Sequence, residues 1–308
     1  MSFSIQTAGD DPVLRNFALT LLYRHLPLTQ RERQVAEMLD LVNSGNLSLQ
    51  HLLVAIEHDR LLGTVLAVPR PGGAAFLWPP VVAGGDRSET VAMALLEELG
   101  RRVDAQNILF TQCLLDPSDE ASRQVLHRGG MPRLTELLQL SRPLPGQRLQ
   151  GNPVPFTCET YSDATHSAFV KVIDETYIDT LDCPPLAQIR SGELLLEAHR
   201  ATGEFRPEAC RIFRQAGRDI GVLLLAEHPD RDVWEVSYLG IVPAARGNGF
   251  GREILSLGIH SVQNSGRRRM EIAVDLANKP ALQIYHSLGF TDVCRYAVHL
   301  RFLPSARS

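Results

Sequence analysis

The stretch Val233-Trp234-Glu235-Val236-Ser237-Tyr238-Leu239-Gly240-Ile241-Val242-Pro243, continued by Ala244-Ala245-Arg246-Gly247-Asn248-Gly249-Phe250-Gly251, decides how this chain is read. A strand-like apolar run ends in a proline, turns, and enters a glycine-rich loop. A helix-like run follows from Gly251 to about Asn264, with Leu255, Ile259 and Val262 on one face. Glycines let backbone N–H groups turn toward an anion, and the first turn of the next helix extends the row, so such a unit can cradle a diphosphate. Two commoner phosphate loops do not fit. A nucleoside-triphosphate loop needs Lys then Ser or Thr after its last glycine, but Arg252 and Glu253 follow Gly251. A dinucleotide fingerprint is G-x-G-x-x-G, whereas this loop is G-x-G-x-G. A glycine cluster alone is also compatible with a tight turn. The preceding strand, and a second block from Met270 to Phe290, raise it above that.

Around this loop the chain is 308 residues long, enough for two domains. Hydrophobic content of 44% with 21% charged residues is that of an ordinary globular protein. A net charge of -4 argues against a general nucleic-acid binder, and Arg267-Arg268-Arg269 reads as a solvated turn before a strand. The five cysteines are odd in number, scattered and without metal-site spacing, so we expect reduced thiols, no metal and a cytoplasmic protein. No run approaches the roughly 18 apolar residues that span a bilayer. The segment Met1 to Asp10 lacks the basic and apolar parts of a secretory signal.

The Pro- and Gly-rich segment Ser141–Pro155 reads as a linker between domains at 1–145 and 154–308. In the first, helices are expected from Pro12, from a capping box at Thr29-Gln30-Arg31-Glu32, from Ser88 and from Asp119. Strands are expected at 51–56, 61–68, 74–82, 108–115 and 134–140. In the second, helices are expected from Ser162, Gly251 and Pro280. Strands are expected at 193–198, 210–215, 220–227, 233–242, 270–275 and 293–302. The halves overlay at an offset of 159 residues, with His127-Arg128-Gly129-Gly130-Met131 on His286-Ser287-Leu288-Gly289-Phe290 and Arg87 on Arg246. Ser88, Thr90 and Ala92 then stand for Gly247, Gly249 and Gly251, and Leu126 stands for Tyr285. The first half reads as a degenerate copy without the phosphate cradle or the phenol, and no cofactor is expected there.

Two blocks, W-E-V-S-Y-L-G-I-V-P-A-A-R-G-N-G-F-G (234–251) and M-E-I-A-V-D-L-A-N-K-P-A-L-Q-I-Y-H-S-L-G-F (270–290), resemble the GNAT superfamily of acyl-CoA-dependent N-acyltransferases. The resemblance covers roughly Val154 to Leu303, and the tandem layout is similar to that of mycothiol synthases within that superfamily. It implies an α/β (α+β) fold of two tandem domains, the first degenerate, each a central, mostly antiparallel mixed sheet flanked by helices. It further implies that Arg246, Gly247, Asn248, Gly249, Phe250 and Gly251 bind the diphosphate of acetyl-CoA. The main chain of Leu239 and Ile241 would hold the pantetheine arm where this strand splays from the next. Asn278 would contact that arm or cap the following helix.

The resemblance makes Tyr285 the acid that protonates the departing thiolate. Glu235, eleven residues before Arg246, resembles in spacing the general-base glutamate of the histone-acetyltransferase branch, which implies a base for the incoming amine, but it shares a strand face with Ser237, Leu239 and Ile241 and also suits a structural role. His199, Asp182 and Glu193 lie in the substrate region, which matches no motif. The implied reaction is direct attack of a primary amine on the thioester, with backbone N–H groups near Leu239 to Ile241 stabilising the oxyanion. The alternatives are a non-catalytic acyl-CoA sensor or interaction module, and an acetyltransferase of the mycothiol-synthase kind.

Overall fold

The computed structural model describes residues 3–144 and 156–303. Along the chain run β1 (Ser4–Thr7), α1 (Pro12–Leu22), α2 (Leu28–Asn43), β2 (Leu52–Glu57), β3 (Arg60–Arg70), β4 (Ala74–Val82), α3 (Ser88–Asp104), β5 (Phe110–Leu115) and α4 (Glu120–Arg128). There follow β6 (Arg133–Pro143), β7 (Thr157–Thr160), α5 (His166–Tyr177), α6 (Pro184–Ala187), α7 (Gly192–Arg200), β8 (Glu204–Gln215) and β9 (Arg218–His228). The chain ends with β10 (Val233–Ile241), α8 (Phe250–Val262), β11 (Arg269–Asp275), α9 (Lys279–Ser287) and β12 (Thr291–Phe302).

These elements form two compact units, Met1–Leu134 with Ala297–Ser308, and Thr135–Tyr296. The units depart from the linear division into 1–145 and 154–308, and the cause is strand pairing. In the first unit, Ala297–Phe302 pairs antiparallel with β5. In the second, β6 pairs antiparallel with β11, from Leu137↔Asp275 to Pro143↔Arg269. Part of the expected linker is therefore strand: Ser141 to Pro143 close β6 and Leu144 is buried. The rest of that linker, 145–155, lies outside the described residues.

Among the described strand pairs, β4/β5 in the first unit and β10/β11 in the second are parallel. The parallel registers repeat at the expected offset: Ala74↔Phe110, Ala75↔Thr111 and Phe76↔Gln112 match Val233↔Arg269, Trp234↔Met270 and Glu235↔Glu271. The core of the second unit is built from one face of α5 (Phe169, Val172, Ile173), one face of α8 (Leu255, Ile259, Val262) and the apolar run Val222–Leu225 of β9. That stripe on α8 is the one its sequence periodicity marks.

Several local readings need correction. Residues 193–198, expected as a strand, lie in α7. Ser191 caps this helix, its Oγ accepting from Leu194 N at 3.3 Å, and Leu195, Leu196 and His199 form its buried face. The Leu-Leu-Leu run reads as a strand only when that helical spacing is overlooked. Thr29 does not cap α2: the helix starts at Leu28 behind Pro27, with no side-chain cap. The four-residue β1, paired with β2, is too short for a periodic signal. In the basic triplet each arginine faces a carboxylate: Arg267 on Glu227, Arg268 on Asp232 and Arg269 on Glu271.

Candidate active site

The site begins where β10 and β11 part. Both strands continue past Glu235↔Glu271, but their parallel pairing stops there. On its other edge β10 stays paired with β9 as far as Ile241↔Gly221. At Ser237 β10 carries an extra residue, since the register passes from Val236↔Leu225 to Tyr238↔Leu224. Such a bulge bends a strand and re-aims its side chains. The gap opens into a cavity of about 580 Å3, bounded by β10, the loop after it, the end of β11, α9 and the segment from Thr176 to Asp182.

The bulge overturns one expectation about faces. Glu235 lies opposite Ala226 and Tyr238 opposite Leu224, so Glu235 shares its face with Tyr238 and Gly240, not with Leu239 and Ile241. The Tyr238 hydroxyl is 2.7 Å from Thr176 Oγ1, which itself donates to Ile173 O. This ties β10 to the last turn of α5.

A short 3-10 turn, Pro243–Ala245, leads from β10 into the glycine loop. Gly247 and Gly249 both have φ +78, and a Cβ at either would meet nothing within 4 Å. Glycine is needed there for its backbone conformation, not for space. The N–H groups of Gly247, Asn248, Gly249, Phe250 and Gly251 have no backbone acceptor among the described residues. Such a row at a helix N-terminus suits an anion. Arg246 lines the cavity with the loop, and its backbone and side-chain donors engage carbonyls of the protein. Its N–H donates to Pro243 O at 3.2 Å. Its guanidinium donates to Ile241 O (3.1 Å), Thr176 O (3.0 Å), Ile178 O (2.7 Å) and Asp179 O (3.0 Å). Arg246 is thus a strut that satisfies carbonyls at the end of α5 and fixes the loop against it. Asn248 Nδ2 donates to Ala245 O and Arg246 O, bracing the loop from within.

Tyr285, on α9, lines the cavity and is 5% exposed. Burial, and secondarily the nearby Asp182 carboxylate, push its phenol well above the ordinary value, so it stays protonated at neutral pH. Asn278 lines the cavity as well and caps α9, its Oδ1 accepting from Ala281 N at 3.3 Å. Leu239, Ile241, Gly247, Gly249, Phe250 and Gly251 are all on the same wall.

Glu235 is not among the residues that line the cavity. It occupies the last paired position below the gap, and its Oε2 lies 2.8 Å from His228 Nε2, off the line a hydrogen bond requires. Ser237 does line the cavity. Its Oγ donates to Leu224 O and lies 2.5 Å from His199 Nδ1, and His199 Nε2 lies 3.1 Å from Cys210 Sγ. Burial lowers the His199 pKa to about 4, so the imidazole is neutral and braces the bulge. Glu193 pairs with His166 and is likewise absent from the cavity wall.

Asp182 is the cavity residue the sequence left unranked. Asp182 is exposed on the cavity side, and the protein packed behind it raises its pKa. Asp182 Oδ1 accepts from Asp275 N at 3.0 Å. The buried Asp275 carboxylate accepts from Thr135 Oγ1 (2.8 Å), Ala277 N (2.8 Å) and Cys183 N (3.2 Å). No motif marks Asp182; only the D-C-P turn before α6 sets it where β11 ends.

Residues 174–290 match the family model described as the acetyltransferase (GNAT) family. The chain is 30% identical over 256 residues to the mycothiol acetyltransferase of Thermomonospora curvata, covering 81% of each. In fold it is similar to a GCN5-related N-acetyltransferase from Sphaerobacter thermophilus, with a TM-score of 0.63 and 16% identity over 98% of this chain and 96% of that one. It is also similar to a tandem GNAT protein from the clavulanic acid biosynthesis pathway, with a TM-score of 0.54 and 13% identity over 98% of both chains. The parted strands, the glycine loop with its free N–H row and these likenesses agree, and the chain belongs to the GNAT superfamily as an acyl-CoA-dependent N-acetyltransferase.

Proposed function

We propose that the cavity between β10 and β11 binds acetyl-CoA and transfers its acetyl group to a primary amine by direct attack in a ternary complex. One observation carries this reading: a row of free N–H groups at one end of the parted strands and a buried, protonated Tyr285 on the same wall. When bound, the thioester supplies an activated acyl carbon. Gly247, Asn248, Gly249, Phe250 and Gly251 hold the diphosphate through their main chain. The unpaired edge of β10 around Leu239 and Ile241 holds the arm and supplies N–H groups to the developing oxyanion. Asn278 keeps the start of α9 in place, and Tyr285 delivers its proton to the sulfur as it leaves. For Glu235, its place outside the cavity beside His228 supports a structural carboxylate over the general base.

The same reading treats the two units as tandem copies with chemistry in the second alone. At the offset given by the strand registers, Pro79 and Pro80 stand where Tyr238 and Leu239 stand, and proline has no N–H to offer an oxyanion. Three of the five free cysteines (Cys113, Cys183 and Cys210) are buried as thiols, in keeping with a reducing, cytoplasmic setting. Among the described residues, no helix is long and apolar enough to cross a membrane.

A second reading, that the acceptor is the one named for the mycothiol acetyltransferases, is favoured by the identity of 30% across 81% of the chain. The test is calorimetry with acetyl-CoA, then thiol release across a broad panel of amines and peptides. Saturable binding with turnover is expected. Tight binding with no thiol release anywhere in the panel would replace the enzyme with a non-catalytic acyl-CoA sensor.

A further inference from the structure

We propose that Asp182 receives the acceptor as an ammonium ion and takes its first proton. The inference rests on the acyl-transfer reading and narrows the acceptor to a cationic primary amine.

The placement comes first. Asp182 stands in the turn between α5 and α6, on the wall that also carries Tyr285, Ser237 and Leu239. It is close enough to Tyr285 for its charge to raise that phenol. Glu235, the carboxylate with the more familiar spacing, is not on that wall.

Next comes what the carboxylate lacks. Among the described residues its Oδ1 has the Asp275 N–H, its Oδ2 has no hydrogen-bond donor, and no cationic side chain acts on it. Asp275 behind it is saturated by three donors and adds negative charge. The groups facing Asp182 are Asp275 from β11, Tyr285 from α9, Tyr238 from β10, and Tyr177 from α5, with Cys183 adjacent in the chain. All three phenols and the thiol are pushed up and held neutral by burial. Arg190 influences Tyr177 and Tyr238 but does not pair with the carboxylate. A carboxylate that is open to the cavity, holds one backbone donor and stands beside a second carboxylate gives an arriving ammonium a partner of opposite charge. Two neighbouring carboxylates, one saturated and one open, divide into a structural and a reactive group.

The step balances. The ammonium loses one proton to Asp182 Oδ2. The freed nitrogen lone pair forms the C–N bond at the thioester carbonyl carbon, and the C–S bond breaks. Tyr285 gives its proton to the thiolate and regains one from the nitrogen, while Asp182 later returns its proton to solvent. The products are the amide, the free thiol and one proton.

The test is a titration that needs no turnover. Ethylamine, 1,4-diaminobutane and L-cysteinamide, all cationic at pH 7, are titrated by ligand-observed NMR into the full chain with and without coenzyme A. Saturable binding of at least one is expected, weakened tenfold or more in Asp182→Asn, with acetyl-CoA affinity within twofold. Asn retains an acceptor for the Asp275 N–H, so the fold is kept, and Asp182→Glu should recover part of the binding. With any amine that releases thiol, Asp182→Asn should lower kcat/KM at least a hundredfold and abolish the acid limb of its pH profile. Absence of saturable ammonium binding to the wild type, or equal binding to Asp182→Asn, overturns the proposal. Failure of acetyl-CoA to bind the wild type would instead overturn the acyl-transfer reading, and the ammonium titration would still decide Asp182.

Discussion

Replacing Gly249 by alanine tests the phosphate cradle where the physics is simplest. Gly249 sits at φ +78 and ψ -2 and is the N-cap of α8. A Cβ there meets nothing within 4 Å, so there is no clash to relieve. The cost is backbone strain alone, about 1–2 kcal/mol for an L-residue in the left-handed region. Gly247, Asn248 and Gly249 are exposed and their N–H groups have no backbone partners, so little in the free protein resists relaxation of the loop. The strain should therefore appear on binding, when the N–H groups must converge on the diphosphate. A cost of about 1–2 kcal/mol raises Kd roughly 5- to 30-fold. Calorimetry with acetyl-CoA measures this directly, alongside urea unfolding to show that stability is little changed. Gly249→Asn is the control: asparagine tolerates this conformation, so its Kd should fall between those of wild type and Gly249→Ala. A Kd for Gly249→Ala within twofold of wild type would show that the left-handed turn is not needed for binding. An Asn variant as weak as the Ala variant would show that strain is not the cause.

Tyr285→Phe should lower kcat at saturating acetyl-CoA on the order of 10²–10³-fold while Kd stays within threefold; equal rates would remove Tyr285 from the acid role. Because the Tyr285 pKa is raised, the phenol remains protonated above the ordinary tyrosine range, so kcat in wild type should show no basic limb between pH 7 and pH 9 from this group. His199 is buried neutral, its pKa lowered by burial from the ordinary 6.5 to about 4, so the unfolded chain binds its proton more readily. Its contribution is present above pH 6.5 and is lost as pH falls toward 4, about 2 kcal/mol between pH 7.5 and pH 5. Urea unfolding at those two pH values should show that loss, and His199→Gln should flatten it. Titration with acetyl-CoA should give one equivalent per chain, because the first unit has Ser88 and Thr90 in place of Gly247 and Gly249; two equivalents would refute a single cradle.

The strand–loop–helix at 233–262 and the strand–helix block at 270–290 were legible from local sequence, because glycine spacing, a proline stop and helical periodicity are properties of neighbouring residues. The internal repeat was legible for the same reason, and the parallel registers of both units keep its offset to the residue. Tyr285 and Asn278 came with those blocks. Tertiary structure decided what depends on partners far along the chain. Pairing of β6 with β11 and of Ala297–Phe302 with β5 assigns those strands to units that the chain order does not suggest. The bulge at Ser237 shifts the strand phase by one residue and separates Glu235 from the face of Leu239 and Ile241, which strict alternation cannot reveal. Arg246 proves to be a strut because its acceptors are carbonyls of α5 and the turn after it, about seventy residues earlier. Asp182 carries no motif, and its place beside Asp275 and Tyr285 exists only once the end of α5, the end of β11 and α9 are folded together.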